Sequence, residues 1–127
     1  MQNEKVMGRA DIVERTFSFA LRIVKLCRRF EQTPGATRSL ALQLLRSGTS
    51  IGANVEEAQA GQSKADLVSK MAIALKEARE TRYWLRLIRE SDGADAGSLD
   101  ILIKEASELA NILGAIVSKA RRTSRPR

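Results

Sequence analysis

Apolar residues recur three and four positions apart over four segments of the chain, and no stretch of useful length alternates with period two. The pattern predicts an all-α protein. In the first segment Ile12, Thr16, Phe19, Ile23, Leu26 and Phe30 form one seam, and Val13, Phe17, Ala20, Val24 and Cys27 form another beside it. That apolar arc is wider than one bundle core needs. Thr33-Pro34-Gly35 ends the helix, because proline restricts the residue before it and glycine supplies turn geometry. A second helix is expected from about Arg38 to Ala60, with Ala41, Leu44, Gly48, Ile51, Val55 and Ala58 inward. Its middle, RSGTSIGANVEE from Arg46 to Glu57, places two glycines where the rhythm says helix. Each glycine costs about 1 kcal/mol relative to alanine, so close approach of another backbone is the expected compensation.

Gly61-Gln62-Ser63 closes the second helix, and Ser63 followed by Asp66 reads as a capping box for the third. There Leu67, Met71, Ala74, Ala78, Thr81, Leu85 and Ile88 hold the inward positions. Asp92 to Gly97 is the clearest loop. A last helix, from about Ser98 to Lys119, should bury Leu99, Leu102, Ala106, Leu109, Leu113 and Ile116. Short connections between helices of similar length favour antiparallel neighbours, hence an up-down-up-down four-helix bundle. The organisation expected is an N-terminal tail over residues 1–10, the bundle over 11–120 and a basic tail over 121–127.

Composition narrows the chemistry. The 127 residues include no histidine and one cysteine, Cys27. Histidine-based triads, Glu-x-x-His di-iron ligands and most zinc sites therefore have nothing to build from. Cys27 is expected as a small buried hydrophobe. The N-terminus lacks a signal-peptide core and no run approaches a membrane span, so a cytoplasmic location is expected. The net charge of +7 suits a polyanion partner, although it falls to +3 when the four arginines of the last seven residues, RRTSRPR, are set aside.

Within the helices two basic rows stand out: Arg15, Arg22, Lys25 and Arg29 on the first, and Lys76, Arg79, Arg82, Arg86 and Arg89 on the third. Such rows can follow a phosphate backbone. They are interrupted by Glu14, Glu31 and Glu90, and aromatics for stacking on single strands are few, which points to phosphate or shape recognition with little base reading. The third helix also carries Ile73, Glu77, Glu80, Trp84 and Leu87 beside its core face, a seam suited to an interface with the indole N–H on a carboxylate. Glu56, Glu57, Glu77 and Glu80 invite a carboxylate-metal or acid-base reading. Arg46, Arg79 and Arg82 stand ready as counter-ions, which makes a structural role the simpler reading. Asn54 is expected to satisfy backbone or carboxylate groups between helices.

The run Gln43, Arg46, Ser50-Ile51, Asn54 and Glu57, then Ser63-Lys64-Ala65-Asp66, then KEARETRYWL from Lys76 to Leu85, resembles the four-helix-bundle family of 23S rRNA intervening-sequence proteins. The resemblance extends from about Asp11 to Lys119. It departs from the family at Ala58, often glycine there, and at Leu45, frequently arginine. The family is bacterial and cytosolic, and includes the accessory variability determinants of diversity-generating retroelements, which bind nucleic acid and a reverse transcriptase. For most other members no function is assigned. What the resemblance implies is a homopentameric barrel with a basic surface, and Ser50, Asn54, Glu57, Glu77, Glu80 and Trp84 as motif or interface residues.

The expectation is thus a non-enzymatic homo-oligomer, without cofactor or metal, that binds RNA or DNA nonspecifically through its basic helix faces. The alternative is a protein-binding accessory scaffold, for example for a reverse transcriptase.

Overall fold

The computed structural model describes residues 4–92 and 96–124. Four helices make up this part of the chain: α1 (Glu4–Phe30), α2 (Ala36–Gln59), α3 (Lys64–Asp92) and α4 (Ala96–Ser124). No strand occurs among the described residues. Cross-helix partners run in opposite directions at every seam, which fixes the up-down-up-down order. Thr16 lies against Gly52 and Ile23 against Gly48. Glu57 pairs with Lys70 while Arg46 reaches Glu77, and Lys64 meets Thr123 while Arg89 meets Asp100.

The ends of the helices follow from local chemistry. Behind Phe30 the chain tightens through Thr33 N donating to Phe30 O at 3.0 Å. Gly35 adopts φ 87°, a left-handed conformation that only glycine accepts without strain, and α2 then starts at Ala36. The Ser63 hydroxyl accepts from Asp66 N at 3.1 Å, and the Asp66 carboxylate accepts from Gln62 N at 3.2 Å. The cap is therefore reciprocal, with the return bond one residue earlier than in the standard box.

Two boundaries differ from the sequence reading. Helix α1 begins at Glu4, inside the stretch assigned to an N-terminal tail, since Glu4-Lys5-Val6-Met7 are residues that helices accommodate even where no apolar periodicity marks them. Helix α4 continues past Lys119 to Ser124, into the expected basic tail. Arg121 and Arg122 occupy its last turn, where cations favour the helix dipole, and residues 125–127 lie outside the described residues. Of the expected 92–97 loop only 93–95 separate α3 from α4, and these too lie outside the described residues.

The core is the inward seam of each helix, with Phe19, Ile23, Leu44, Ile51, Met71, Leu85, Leu109 and Leu113 fully enclosed. The second seam of α1 is a flank instead: Cys27 is buried, Val13, Ala20 and Val24 are half-buried, and Phe17 is exposed. At the end of α4 Val117 takes the buried position expected for Ile116, because the step from Leu113 is four residues and keeps to the core line. Leu67, beside the open α2–α3 turn, is only half-buried. Buried Cys27 donates to Ala41 O at 3.4 Å, and burial, aided by the negative charge of Glu31, pushes its thiol up to about 11.

Gly48 and Gly52 are where α2 lies closest to α1. A Cβ on Gly48 would sit 2.8 Å from Ile23 Cγ2, and one on Gly52 would sit 3.3 Å from the backbone oxygen of Thr16. Three polar residues of this stretch bond within their own helix. Thr49, Ser50 and Asn54 donate to the carbonyls of Leu45, Arg46 and Ser50, at 2.7, 2.7 and 2.8 Å. Asn54 thus serves its own helix, not the space between helices as expected. On the opposite flank the buried hydroxyls of Ser47 and Thr81 lie 2.9 Å apart, and Thr81 donates to Glu77 O at 2.7 Å. Among the described residues no buried side-chain N or O atom lacks a partner.

These contacts separate the glycines by role. Gly48→Ala gains about 1 kcal/mol of helix propensity but presses on a stiff, enclosed isoleucine, an overpacking cost of about 1–3 kcal/mol. It should lower the midpoint of urea unfolding. Gly114→Ala, where a Cβ meets nothing within 4 Å, should raise that midpoint by the equivalent of about 1 kcal/mol; equal effects of the two would contradict the close-packing account.

Candidate functional site

The basic row expected on α1 divides in two. Arg15 is half-buried and donates to both carboxylate oxygens of Glu105 at 2.8 Å and to Glu108 at 2.6 Å. Glu105 and Glu108 are one turn apart on α4 and close around a single guanidinium, so Arg15 is a clasp between α1 and α4 and no free cation. Sequence reading missed this, although two glutamates at that spacing on the fourth helix were its visible signal. Hydrogen bonds from Arg15, outweighing the opposing effect of burial, hold the Glu105 carboxyl below its ordinary value of 4.5. Arg22, Lys25 and Arg29 remain on the surface, where they line an open groove with Ser98, Ile101 and Leu102.

The row on α3 keeps more of its charge. Arg89 is engaged by Asp100 of α4 and by Glu90, and the Arg89 hydrogen bonds hold the Asp100 carboxyl below the usual range. Lys76 is exposed and within electrostatic reach of Glu80. Arg79, Arg82 and Arg86 are exposed and have no carboxylate within ion-pair distance among the described residues. They occupy successive turns on one flank of α3. From Lys76 to Arg86 this flank extends about 15 Å at 1.5 Å per residue.

Among the described residues no group of three or more acidic side chains is placed to hold a metal ion. Glu57 is exposed and pairs with Lys70 at 2.9 Å. Glu77, almost fully buried, and half-buried Glu80 both converge on Arg46 from α2. Trp84 Nε1 donates to Glu80 at 3.0 Å, the bond expected of a half-buried indole, and this bond together with Arg46 holds the Glu80 carboxyl below the ordinary range. Of the three arginines expected as counter-ions, Arg46 takes the role, and among the described residues Arg79 and Arg82 form no ion pair. Ser50 and Asn54 spend their donors on their own helix. Of the motif residues, Glu77, Glu80 and Trp84 thus meet Arg46 at the α2–α3 seam in one network within the chain, while the side chains of Ser50, Asn54 and Glu57 stand apart from it.

Large apolar side chains left in solvent are the remaining notable surface. Phe17 and Leu21 on α1 and Leu42 on α2 are exposed. Tyr83 on α3 is 54% exposed, and its ring meets that of Trp84 nearly edge-on, with centroids 5.1 Å apart. Among the described residues no helix is long and apolar enough to cross a membrane.

Comparison with known proteins adds the following. The family model described as 23S rRNA-intervening sequence protein matches residues 9–115. A solved structure of a protein of unknown function from the S23 ribosomal protein family, from Bacteroides thetaiotaomicron VPI-5482, is 37% identical to this chain. The match covers 88% of this chain and 99% of that one, with a TM-score of 0.80. No curated protein matches.

The Arg15 clasp has a pH signature. Because the Glu105 value is lower folded than unfolded, the clasp stabilises above 4.5 and that stabilisation is lost as pH falls through the lower folded value. Arg15→Gln should cost about 1 kcal/mol at neutral pH and flatten the acid limb of stability, read from urea midpoints across a pH series. A variant whose curve stays parallel to that of the parent down to acid pH would remove the clasp from the account.

Proposed function

The chain belongs to the 23S rRNA-intervening sequence protein family, and with that as the starting point we propose that it is a non-enzymatic homo-oligomer, a cytoplasmic pentamer, that binds RNA or DNA through phosphate contacts with little reading of base sequence. The observation that carries this proposal is the row of exposed guanidiniums at Arg79, Arg82 and Arg86, none of which has a carboxylate partner among the described residues. Unpaired surface cations are the groups that displace condensed counterions from a nucleic acid, and the release of those ions is what drives nonspecific binding. Arg15 and Arg89 contribute little to it, since each is already neutralised by carboxylates of α4. Arg22 and Lys25 add a second cationic surface on α1.

Support for assembly comes from the large apolar side chains Phe17, Leu21 and Leu42, which one chain leaves in water. Burying such side chains against another copy is favourable by about 1.5–3 kcal/mol each. Closed symmetry then repeats the arginine row around an axis, so that weak phosphate contacts add. The same exposed side chains favour a second reading, a scaffold that docks a different protein, for example a reverse transcriptase. On that reading the charge confers solubility alone.

Replacing Arg79, Arg82 and Arg86 together by Gln should weaken binding to mixed RNA and duplex DNA and reduce the log-log salt slope by about 0.9 for each lost phosphate contact on duplex DNA, as measured by fluorescence anisotropy over a salt series. No retention of either nucleic acid by the intact parent protein at low salt would sink the binding proposal. Phe17→Asp with Leu42→Asp should reduce the mass seen in light scattering; a parent protein already of monomer mass at micromolar concentration would sink the assembly proposal. Co-purification of one protein that survives nuclease and high salt would favour the scaffold.

A further inference from the structure

The aromatic shortage that argues against single-stranded ligands is a count over the whole chain, and the position of Tyr83 alters what that count means. Tyr83 is four residues after Arg79 and three before Arg86, so all three share one stripe of α3. Its side chain is 54% exposed, an uncommon state for an aromatic on a helix whose inward face is fully packed. Neither neighbouring guanidinium is engaged by a carboxylate among the described residues. The nearest acid one turn back, Glu80, is occupied by Arg46 and by the Trp84 indole.

The ring is also held. Trp84 contacts it nearly perpendicularly, at an interplanar angle of 70°. A perpendicular pair covers at most one face of either ring, so the Trp84 contact by itself does not enclose Tyr83, which is 54% exposed. An exposed ring in contact with Trp84, between two guanidiniums that have no carboxylate partner among the described residues, has the composition of a stacking platform. The base lies on the π-face, and the phosphates before and after it meet cations on either side. Arg79 and Arg86 are about 10 Å apart along the helix axis, which leaves space for a nucleotide to lie between them. A base inside a duplex presents no free face, so the platform distinguishes unpaired strands from paired ones.

We infer that Tyr83, flanked by Arg79 and Arg86, is a base-stacking site for single-stranded nucleic acid. The inference rests on the nucleic-acid reading given above and names its ligand class: an unpaired base within a phosphodiester strand, RNA or DNA.

The test uses the full chain with fluorescein-labelled oligo(U), oligo(dT) and a mixed-sequence duplex, at one low salt concentration, with Tyr83→Ala, Tyr83→Phe and Arg79→Gln. Tyr83→Ala should weaken both single strands about tenfold and leave the duplex unchanged, while Tyr83→Phe, which keeps the ring, should bind as the parent does. Arg79→Gln should weaken all three ligands. Trp84 emission should change on adding either single strand and stay constant on adding duplex, because the indole touches the ring on which the base lands. Equal effects on oligo(U) and oligo(dT) mark the base face as the recognised group, and loss on oligo(U) alone would add a ribose contact to the site. The inference is overturned if Tyr83→Ala changes neither single strand, or lowers single strand and duplex alike with the helix content and mass of the parent, and in both cases the charge reading survives. Absence of binding by every ligand overturns both.

Discussion

The approach of α2 to α1 at Gly48 and Gly52 sets the geometry on which the remaining seams depend. Helices packed through ordinary side chains keep their axes 8–10 Å apart, and here a single added Cβ would press into Ile23 or the Thr16 backbone. The glycines carry a propensity cost of about 1 kcal/mol each, which the tight contact offsets by enclosing Ile23, Leu44 and Ile51 completely. With α2 fixed against α1 on one flank, its other flank presents Ser47 and Arg46 to α3. The buried Ser47–Thr81 pair and the Arg46–Glu77–Glu80–Trp84 network then fix the rotation of α3. That rotation is what turns Arg79, Tyr83 and Arg86 outward.

Charge is divided by the same geometry. Where cations of one helix face carboxylates of its neighbour they hold the bundle together, as Arg15 does across α1–α4, Arg46 across α2–α3 and Arg89 across α3–α4. What remains for solution partners is the set of cations whose helix flank has no acidic neighbour. A basic composition thus overstates the charge available for binding, and the position of each arginine around its helix decides to which group it belongs.

Fold class, helix number and nearly every core position were legible in the sequence, because a three-four apolar rhythm and a fully enclosed seam are the same fact in one and three dimensions. The capping box, the turn at Gly35 and the indole–carboxylate bond were legible for a similar reason, as each is a local interaction. Partner choice across helices was not. Nothing in the α1 pattern says that Arg15 meets Glu105 and Glu108 while Arg22 on the same face stays in solvent, since this depends on the stagger of α4 against α1. Asn54 was misjudged because a side chain short enough to reach the carbonyl four residues back satisfies itself before any neighbour does. The ends of α1 and α4 were set too short because periodicity reports burial, and a helix continues beyond its buried part.

The order of the seams has a kinetic consequence. Helices α1–α2, α2–α3 and α3–α4 are each joined through short turns and pack as successive hairpins, whereas the α1–α4 seam unites residues 90 apart in sequence through the Arg15 clasp. Closing a loop costs more entropy as it lengthens, so the hairpin seams form at a smaller entropic cost than the α1–α4 seam. The order of seams predicts that α1 closes against α4 late in folding. A destabilising change confined to that seam should accelerate unfolding while leaving the folding rate nearly untouched.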